Sequence, residues 1–251
     1  MPKLVLMMKN LILLHPLELA VAIDDAFLIL REMERQSTPE GGRFFEEITN
    51  QDVGVLIAYF DGSLGEALRR SSLRWMALMF QMKRAESLVI SAEGLESLGS
   101  GLCSVDTETK ALSAYLLGEV ALLREGPLSS VWPRLVPRLV GLLRDGDVVV
   151  RQNVASALGN LTFHSAQLAP IMIREKAVPE LLALLSRSEA KNPVRLRVIV
   201  ALRCMAKHKP LSDAIKKCAS HVTLHEVVTA LTSDDSEAKH LHHHITRLTA
   251  P

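Results

Sequence analysis

The stretch LVGLLRDGDVVVRQNVASALGNL at residues 139–161 decides the fold class of this chain. It begins with an apolar helical pattern that stops at Asp145-Gly146-Asp147. Glycine favours a helix exit, and aspartate favours the N-cap of the next helix. The second half places apolar side chains at intervals of 4, 3, 1 and 3 residues, at Val150, Val154, Ala157, Leu158 and Leu161. Those intervals trace one face of a helix, so the stretch predicts two helices joined by a tight polar turn.

The same order of patterns recurs at residues 94–123, 178–208 and 224–250, with a fainter copy at about 52–92. Superposing the second helices on Lys110, Arg151, Arg195 and Ala238 gives intervals of 41, 44 and 43 residues. Helical repeats of roughly 40–47 residues stack side by side, because one unit cannot bury its apolar face alone. We therefore expect an all-α array with units at about 52–93, 94–131, 132–177, 178–221 and 222–251. Residues 1–50 are expected to form a helical cap or a degenerate repeat.

Composition supports a helical core and argues against several functions. Hydrophobic residues make up 48% of the chain but aromatic residues only 4%, so the predicted core is aliphatic. Few aromatics argue against a stacking platform for single-stranded nucleic acid, and a net charge of +1 gives no support for duplex binding. Three widely spaced cysteines suit a reducing compartment. No apolar run is long enough to span a membrane, so the expected location is cytoplasmic.

The quoted stretch resembles the armadillo repeat. A helix ends in Leu-Leu before a short polar turn, and the next helix carries Arg-x5-Ala-Leu-x-Asn-Leu, with matches at Arg151, Ala157, Leu158, Asn160 and Leu161. Val178-Pro179-x2-Leu182 resembles the family's entry into its next unit. The resemblance implies a right-handed α-solenoid whose third helices line a concave groove that binds protein partners.

The resemblance also implies an Asn along the groove that hydrogen-bonds a bound peptide, with a Trp four residues earlier. Only Asn160 matches the Asn, and its equivalents are Glu119, Cys204 and Arg247. The Trp position holds Ser156, Tyr115, Val200 and His243. We therefore expect a partner other than a simple extended basic peptide. The predicted groove positions are Tyr115, Glu119, Ser156, Asn160, His164, Val200, Arg203 and Lys207.

A narrower likeness concerns Arg151-x5-Ala157-x-Gly159-Asn160-x3-His164. This pattern is similar to the armadillo arrays that follow the kinase domain of Fused-type kinases, which belong to ciliary and signalling scaffolds. The chain itself has no glycine-rich phosphate loop, His-Arg-Asp or Asp-Phe-Gly motif. The likeness implies either the scaffold part of such a protein or a distant relative of it, acting in a ciliary, cytoskeletal or signalling assembly.

Two histidine patterns offer metal ligands. His240 and His244 are four residues apart on a predicted helix, a spacing that can chelate a metal. The superposition, however, places His244 at the buried position of Ala157. Cys218-x2-His221-x3-His225 supplies three ligands, whereas structural zinc usually has four. We expect no metal and no cofactor.

No phosphate loop, nucleophile elbow or paired-carboxylate motif occurs in the sequence, so the predicted protein is not an enzyme. The alternative function is a tubulin- or nucleic-acid-binding module that uses a basic solenoid face. Its candidate residues are Arg195, Arg197, Arg203, Lys207, Lys209, Lys216 and Lys217, with Arg144, Lys191 and Lys209 as the loop-borne candidates for tubulin.

Overall fold

A computed structural model describes most of the middle of the chain. The described residues are 57, 59–60, 62–81, 92–123, 130–164, 166–187 and 193–219, together with positions 21, 25, 28 and 32. Within these ranges all regular structure is helical, as the sequence predicted. The helices are α1 (Glu66–Gln81), α2 (Ala92–Gly101), α3 (Thr107–Leu122), α4 (Trp132–Leu142), α5 (Val148–His164), α6 (Ala169–Arg174), α7 (Ala177–Arg187), α8 (Pro193–Ala206) and α9 (Lys209–Cys218), with a 3-10 turn at Ala166–Leu168.

The predicted N-terminal cap and the predicted last repeat lie largely outside the described residues. The unit at 222–251 is outside the described residues, and within 1–50 only the four isolated positions are described, each of them helical. The chain divides into two compact units, Met1–Leu116 and Leu117–Pro251, and the division falls within α3.

Two arginines of α1, one buried and one partly buried, connect elements of the first unit. The guanidinium of Arg69 donates to the Phe60 carbonyl and to the Ser100 hydroxyl, both at 2.6 Å. Arg70 pairs with Asp106 at 3.1 Å. These contacts link α1 to the end of α2 and to the start of α3, so the packing of this unit is fixed by polar bonds as well as by its apolar core.

An aspartate caps the start of α5, a long helix of the second unit. Asp147 Oδ1 accepts hydrogen bonds from the amides of Val149 (2.8 Å) and Val150 (2.9 Å) at the start of α5. Asp145 Oδ1 accepts from the Asp147 amide at 2.9 Å, which shapes the turn before it. Amides in the first turn of a helix have no intrahelical acceptor, so these carboxylates satisfy them. The predicted helix start after Asp145-Gly146-Asp147 is confirmed.

The second unit is centred on the packing of α5 against α8. Helix α4 packs on α5 and α7 packs on α8, while α9 contacts both α7 and α8. The apolar residues predicted to share one face of α5 are all buried: Val150, Val154, Ala157, Leu158 and Leu161. One stripe of α5 therefore faces the core, and the opposite stripe remains accessible.

Neighbouring long helices approach closely where small residues meet. A Cβ added to Gly118 of α3 would lie 3.2 Å from the Cα of Ala157, and one added to Gly159 would lie 2.8 Å from the Cα of Ala201. Gly118 and Gly159 are 41 residues apart, and Ala157 and Ala201 are 44 apart. The two contacts thus repeat with the intervals found by superposing the sequence, which makes α3, α5 and α8 equivalent helices of successive repeats.

Candidate binding face

The accessible stripe of the equivalent helices in the second unit forms the candidate site, here called the binding face. It consists of half-buried or exposed positions on 117–122 of α3, on α5, and on α8 with the turn that follows it: Glu119, Leu122, Ser156, Asn160, Phe163, Arg197, Val200, Arg203 and Lys207. Five predicted groove residues of α5 and α8 or its following turn, Ser156, Asn160, Val200, Arg203 and Lys207, thus have accessible surface.

The structure describes the predicted groove positions Tyr115 and His164 to different extents. Tyr115 is half-buried and belongs to the first unit, one helical turn before Glu119 on α3. His164 is the last residue of α5, and its side chain lies outside the description. Cys204, which occupies the Asn position in the superposition, is buried, whereas its neighbour Arg203 is half-exposed.

Asn160 links two neighbouring helices. Its side-chain amide donates a 3.0 Å hydrogen bond to the carbonyl of Gly118 in α3. An Asn side chain carries two N–H donors and a carbonyl acceptor, so the second donor and the acceptor have no partner among the described residues. The bond also holds the amide in one orientation on the half-buried surface. Asn160 is therefore both an interhelical tie and a preoriented polar group.

Glu119 is the acidic group of the binding face. Burial raises the pKa of its carboxyl above the ordinary value, and the positive charge of Arg197 on α8 acts in the opposite direction. Desolvation disfavours the charged form of a carboxyl, whereas a nearby cation favours it. The face consequently holds a carboxylate whose negative charge is partly compensated by Arg197 of the same unit.

The ends of α5 and α8 are tied by a cation and a histidine. The Lys207 ammonium lies 4.0 Å from the centroid of the Phe163 ring, a cation–π geometry. His208 Nε2 donates to the main-chain carbonyl of Thr162, which lies in the last turn of α5. Carbonyls in the last turn of a helix lack intrahelical donors, so His208 satisfies one of them. Phe163 was absent from the predicted site residues, although it lies one helical turn after Asn160.

The basic surface predicted as an alternative site is smaller than expected. Arg195 is buried and donates to the Leu185 carbonyl at 3.2 Å, so it is not part of an exposed face. Arg144 is exposed but pairs with Glu180 through two hydrogen bonds, one of them 2.7 Å from Nε to Oε2. Lys209 lies 3.3 Å from Asp213. Lys191 is outside the described residues.

No cluster of three or more metal-ligating side chains occurs within the described ranges. Cys218 is exposed at the end of α9 and is described, whereas His221, His225, His240 and His244 are outside the described residues. A shallow cavity beside Cys218 has a volume of about 240 Å³ and is lined by Pro179, Leu182, Ala183, Ser186, Cys218 and Ala219. It lies between α7 and the end of α9, and none of its lining residues belongs to the binding face.

Residues 131–163, which include α4 and nearly all of α5, match the Armadillo/beta-catenin-like repeat family. An engineered protein has a similar structure with a TM-score of 0.79 and 22% identity, over 99% of this chain and 96% of that one. A designed armadillo repeat protein has a TM-score of 0.75 and 16% identity, over 98% and 99%. The fold is an all-α armadillo solenoid. The helix order and the repeated contacts of α5 and α8 agree with this assignment.

Another similar structure is a designed armadillo repeat protein in complex with the peptide (KR)4. It has a TM-score of 0.72 and 16% identity, over 98% of this chain and 99% of that one. The sequence matches none of the curated proteins. Among the described helices, none has the length and apolar character needed to cross a membrane.

Proposed function

We propose that this protein is a non-catalytic scaffold that binds a protein partner along the concave face of its solenoid. The observation that carries the proposal is the accessible stripe on successive equivalent helices, with the preoriented Asn160 amide at its centre. A designed relative with the same fold binds a peptide, which supports a peptide-binding use of this architecture.

The chemistry of the face suits recognition. It combines carboxylate, amide, hydroxyl, aromatic and cationic side chains on helices whose backbones are fixed by the close Gly159–Ala201 contact. A rigid surface loses little conformational freedom when a partner binds, so less of the interaction free energy is lost to ordering. Tyr115 and His164 remain proposed members of the same groove, as the sequence predicted.

The test uses two substitutions of the same kind on different surfaces. The tagged full chain is purified from its native cells with any stoichiometric partner, and Val200→Arg is compared with Ile173→Arg. Val200 is half-buried on the binding face, and Ile173 is an exposed residue of α6. Because the added guanidinium obstructs only the binding face in the first variant, Val200→Arg should lose the partner and Ile173→Arg should retain it.

Circular dichroism of both variants serves as the folding control. Retention of the partner by a folded Val200→Arg variant would contradict the proposal. If the Asn160→Ala, Tyr115→Ala double variant also fails to bind the partner, the contact extends along the groove to these positions.

The cellular setting is a finer part of the proposal. The likeness to Fused-type arrays favours a ciliary, cytoskeletal or signalling assembly in the cytoplasm, and tubulin is the specific partner to test there. Cosedimentation with microtubules over a range of salt concentrations tests tubulin, since binding through exposed cations weakens as salt screens the charges. Absence of cosedimentation at low salt would remove tubulin as the partner.

A further inference from the structure

One row of side chains marks the C-terminal ends of the equivalent helices. Leu122 of α3, Phe163 of α5 and Lys207 after α8 are separated by the same 41 and 44 residues as the close helix contacts. Leu122 and Phe163 are 40% and 43% exposed, so both present apolar surface at these helix ends. We call these three residues the end row. It runs from two apolar side chains to a cation.

The positive charge at the α8 end of this row has no ion-pair partner among the described residues. Among the described residues, Arg203 and Lys207 have no ion pair, whereas Arg144 pairs with Glu180 and Lys209 with Asp213. Arg197, the other exposed cation on α8, acts on Glu119. The ring contact of Lys207 with Phe163 leaves its side chain exposed. Within the described part of the chain, Arg203 and Lys207 are therefore the two cations of the face without a paired anion.

We propose that the end row and Arg203 bind an acidic segment of a partner protein, in which an apolar side chain contacts Leu122 and Phe163 and carboxylates contact Arg203 and Lys207. The proposal rests on the proposed function and adds the chemistry of the partner. A guanidinium binds carboxylates bidentately, and an ammonium adds a point charge. Clustered cations of this kind are a common means of recognising acidic motifs.

The alternative occupant, a nucleic acid, fits the face less well. Phosphate backbones are bound by extended basic grooves, and affinity grows with the number of phosphates neutralised. Here Glu119 and Leu122 occupy the α3 side of the face, and the described α8 side contributes two cations without an ion pair. An anion confined to one end, next to an apolar group, matches this distribution better.

The geometry of the helices sets the spacing expected in the ligand. Packed helix axes lie about 8–10 Å apart. An extended polyproline II segment advances about 3.1 Å per residue and returns to the same face after three residues. An apolar residue over Phe163 and a carboxylate over the next helix should thus be about three residues apart.

The test measures the binding of fluorescein-labelled peptides to the full chain by fluorescence anisotropy. The probes are (LPPE)3, its uncharged counterpart (LPPQ)3, the basic peptide (KR)4 and oligothymidylate. The double charge reversal Arg203→Glu, Lys207→Glu is compared with Lys216→Glu, Lys217→Glu on α9, which changes the net charge equally. Both lysines of the control pair are exposed and lie outside the binding face.

We expect (LPPE)3 to bind at least about tenfold more tightly than (LPPQ)3, a difference of about 1.4 kcal/mol. The Arg203, Lys207 variant should lose that preference, and the α9 variant should keep it. Equal binding of both peptides, tighter binding of (KR)4 or of oligothymidylate, or no binding at all would overturn the proposal. The Val200→Arg experiment is independent of these probes, so the failure of the acidic-ligand proposal is distinguishable from failure of the scaffold function.

Discussion

At the residue scale, two glutamates of the second unit have opposite surroundings. Glu119 is partly buried, and desolvation raises its pKa although the positive charge of Arg197 acts in the opposite direction. Glu180 accepts hydrogen bonds from Arg144, and these bonds lower its pKa despite partial burial. The first carboxylate costs folding free energy when it is charged, and the second contributes to stability when it is charged.

This difference predicts opposite effects of two amide substitutions on the pH dependence of unfolding. A raised folded-state pKa gives stability that is present at low pH and lost as pH rises, so Glu119→Gln should be more stable than the wild type at pH 7. A lowered pKa gives stability that is present at neutral pH and lost in acid, so Glu180→Gln should be less stable at pH 7. Urea unfolding at pH 7 and at about pH 4 measures both, and both differences should shrink in acid. Effects of the same sign at pH 7 would contradict these assignments.

At Lys176 the backbone conformation, rather than the side chain, affects stability. This residue lies between α6 and α7 with a φ of 60°, the left-handed region that glycine adopts without steric cost. Lys176→Gly should therefore raise the free energy of unfolding by up to about 1 kcal/mol, since the relief of strain exceeds the added freedom of the unfolded chain. Urea denaturation measures the change. Lys110→Gly within α3 is the control and should lose about 1 kcal/mol. A decrease for Lys176→Gly would show that its conformation is not strained.

At the scale of elements, the distance between equivalent helices depends on single glycines. Gly159 allows α5 to approach the Ala201 backbone of α8, and Gly118 allows the corresponding approach of α3 to α5. Glycine within a helix costs about 1 kcal/mol relative to alanine. The close packing therefore has to outweigh that cost.

The substitution Gly159→Ala should destabilise the protein by about 1–2 kcal/mol, because the new methyl group meets backbone rather than a flexible side chain. Gly141→Ala in α4 is the matched control. Apart from its own helix, no described atom lies within 4 Å of a Cβ added there, so this variant should gain up to about 1 kcal/mol from helix propensity alone. Thermal and urea unfolding compare the two. Equal stabilisation of both variants would show that the α5–α8 distance is not set by Gly159.

At the scale of the whole molecule, stability in an array of repeats is approximately a sum of terms within each repeat and between neighbours. Leu158 is fully buried in α5, with α4 and α8 packed against that helix. Its loss is therefore expected to act most strongly on adjacent repeats.

The substitution Leu158→Ala should cost about 2–5 kcal/mol through lost burial and the cavity left behind. Hydrogen exchange measured by mass spectrometry should show the largest loss of protection in α4, α5 and α8 and a smaller loss in α1. Val198 is a second fully buried residue, in α8, and the Val198→Ala variant provides a second pattern of lost protection for comparison. A uniform loss across all described helices would indicate a single cooperative unit instead of an array.

The sequence by itself determined the helical class, the 41- and 44-residue steps, the cap at Asp147 and the buried stripe of α5. Each of these follows from local chemistry: periodic burial, turn residues and side-chain capping within a few positions. The groove positions were implied by the resemblance to the armadillo repeat, and their role as a binding groove stays a prediction.

Only the tertiary structure decided which polar groups are already satisfied. Arg195 donates to the Leu185 carbonyl, Arg144 pairs with Glu180, and Asn160 donates to Gly118 in a neighbouring helix. Arg203 and Lys207 have the same ordinary sequence signal as these residues, yet they have no ion pair among the described residues. Pairing depends on which side chains meet across helices many residues apart, and a periodic pattern records only the face on which each side chain lies.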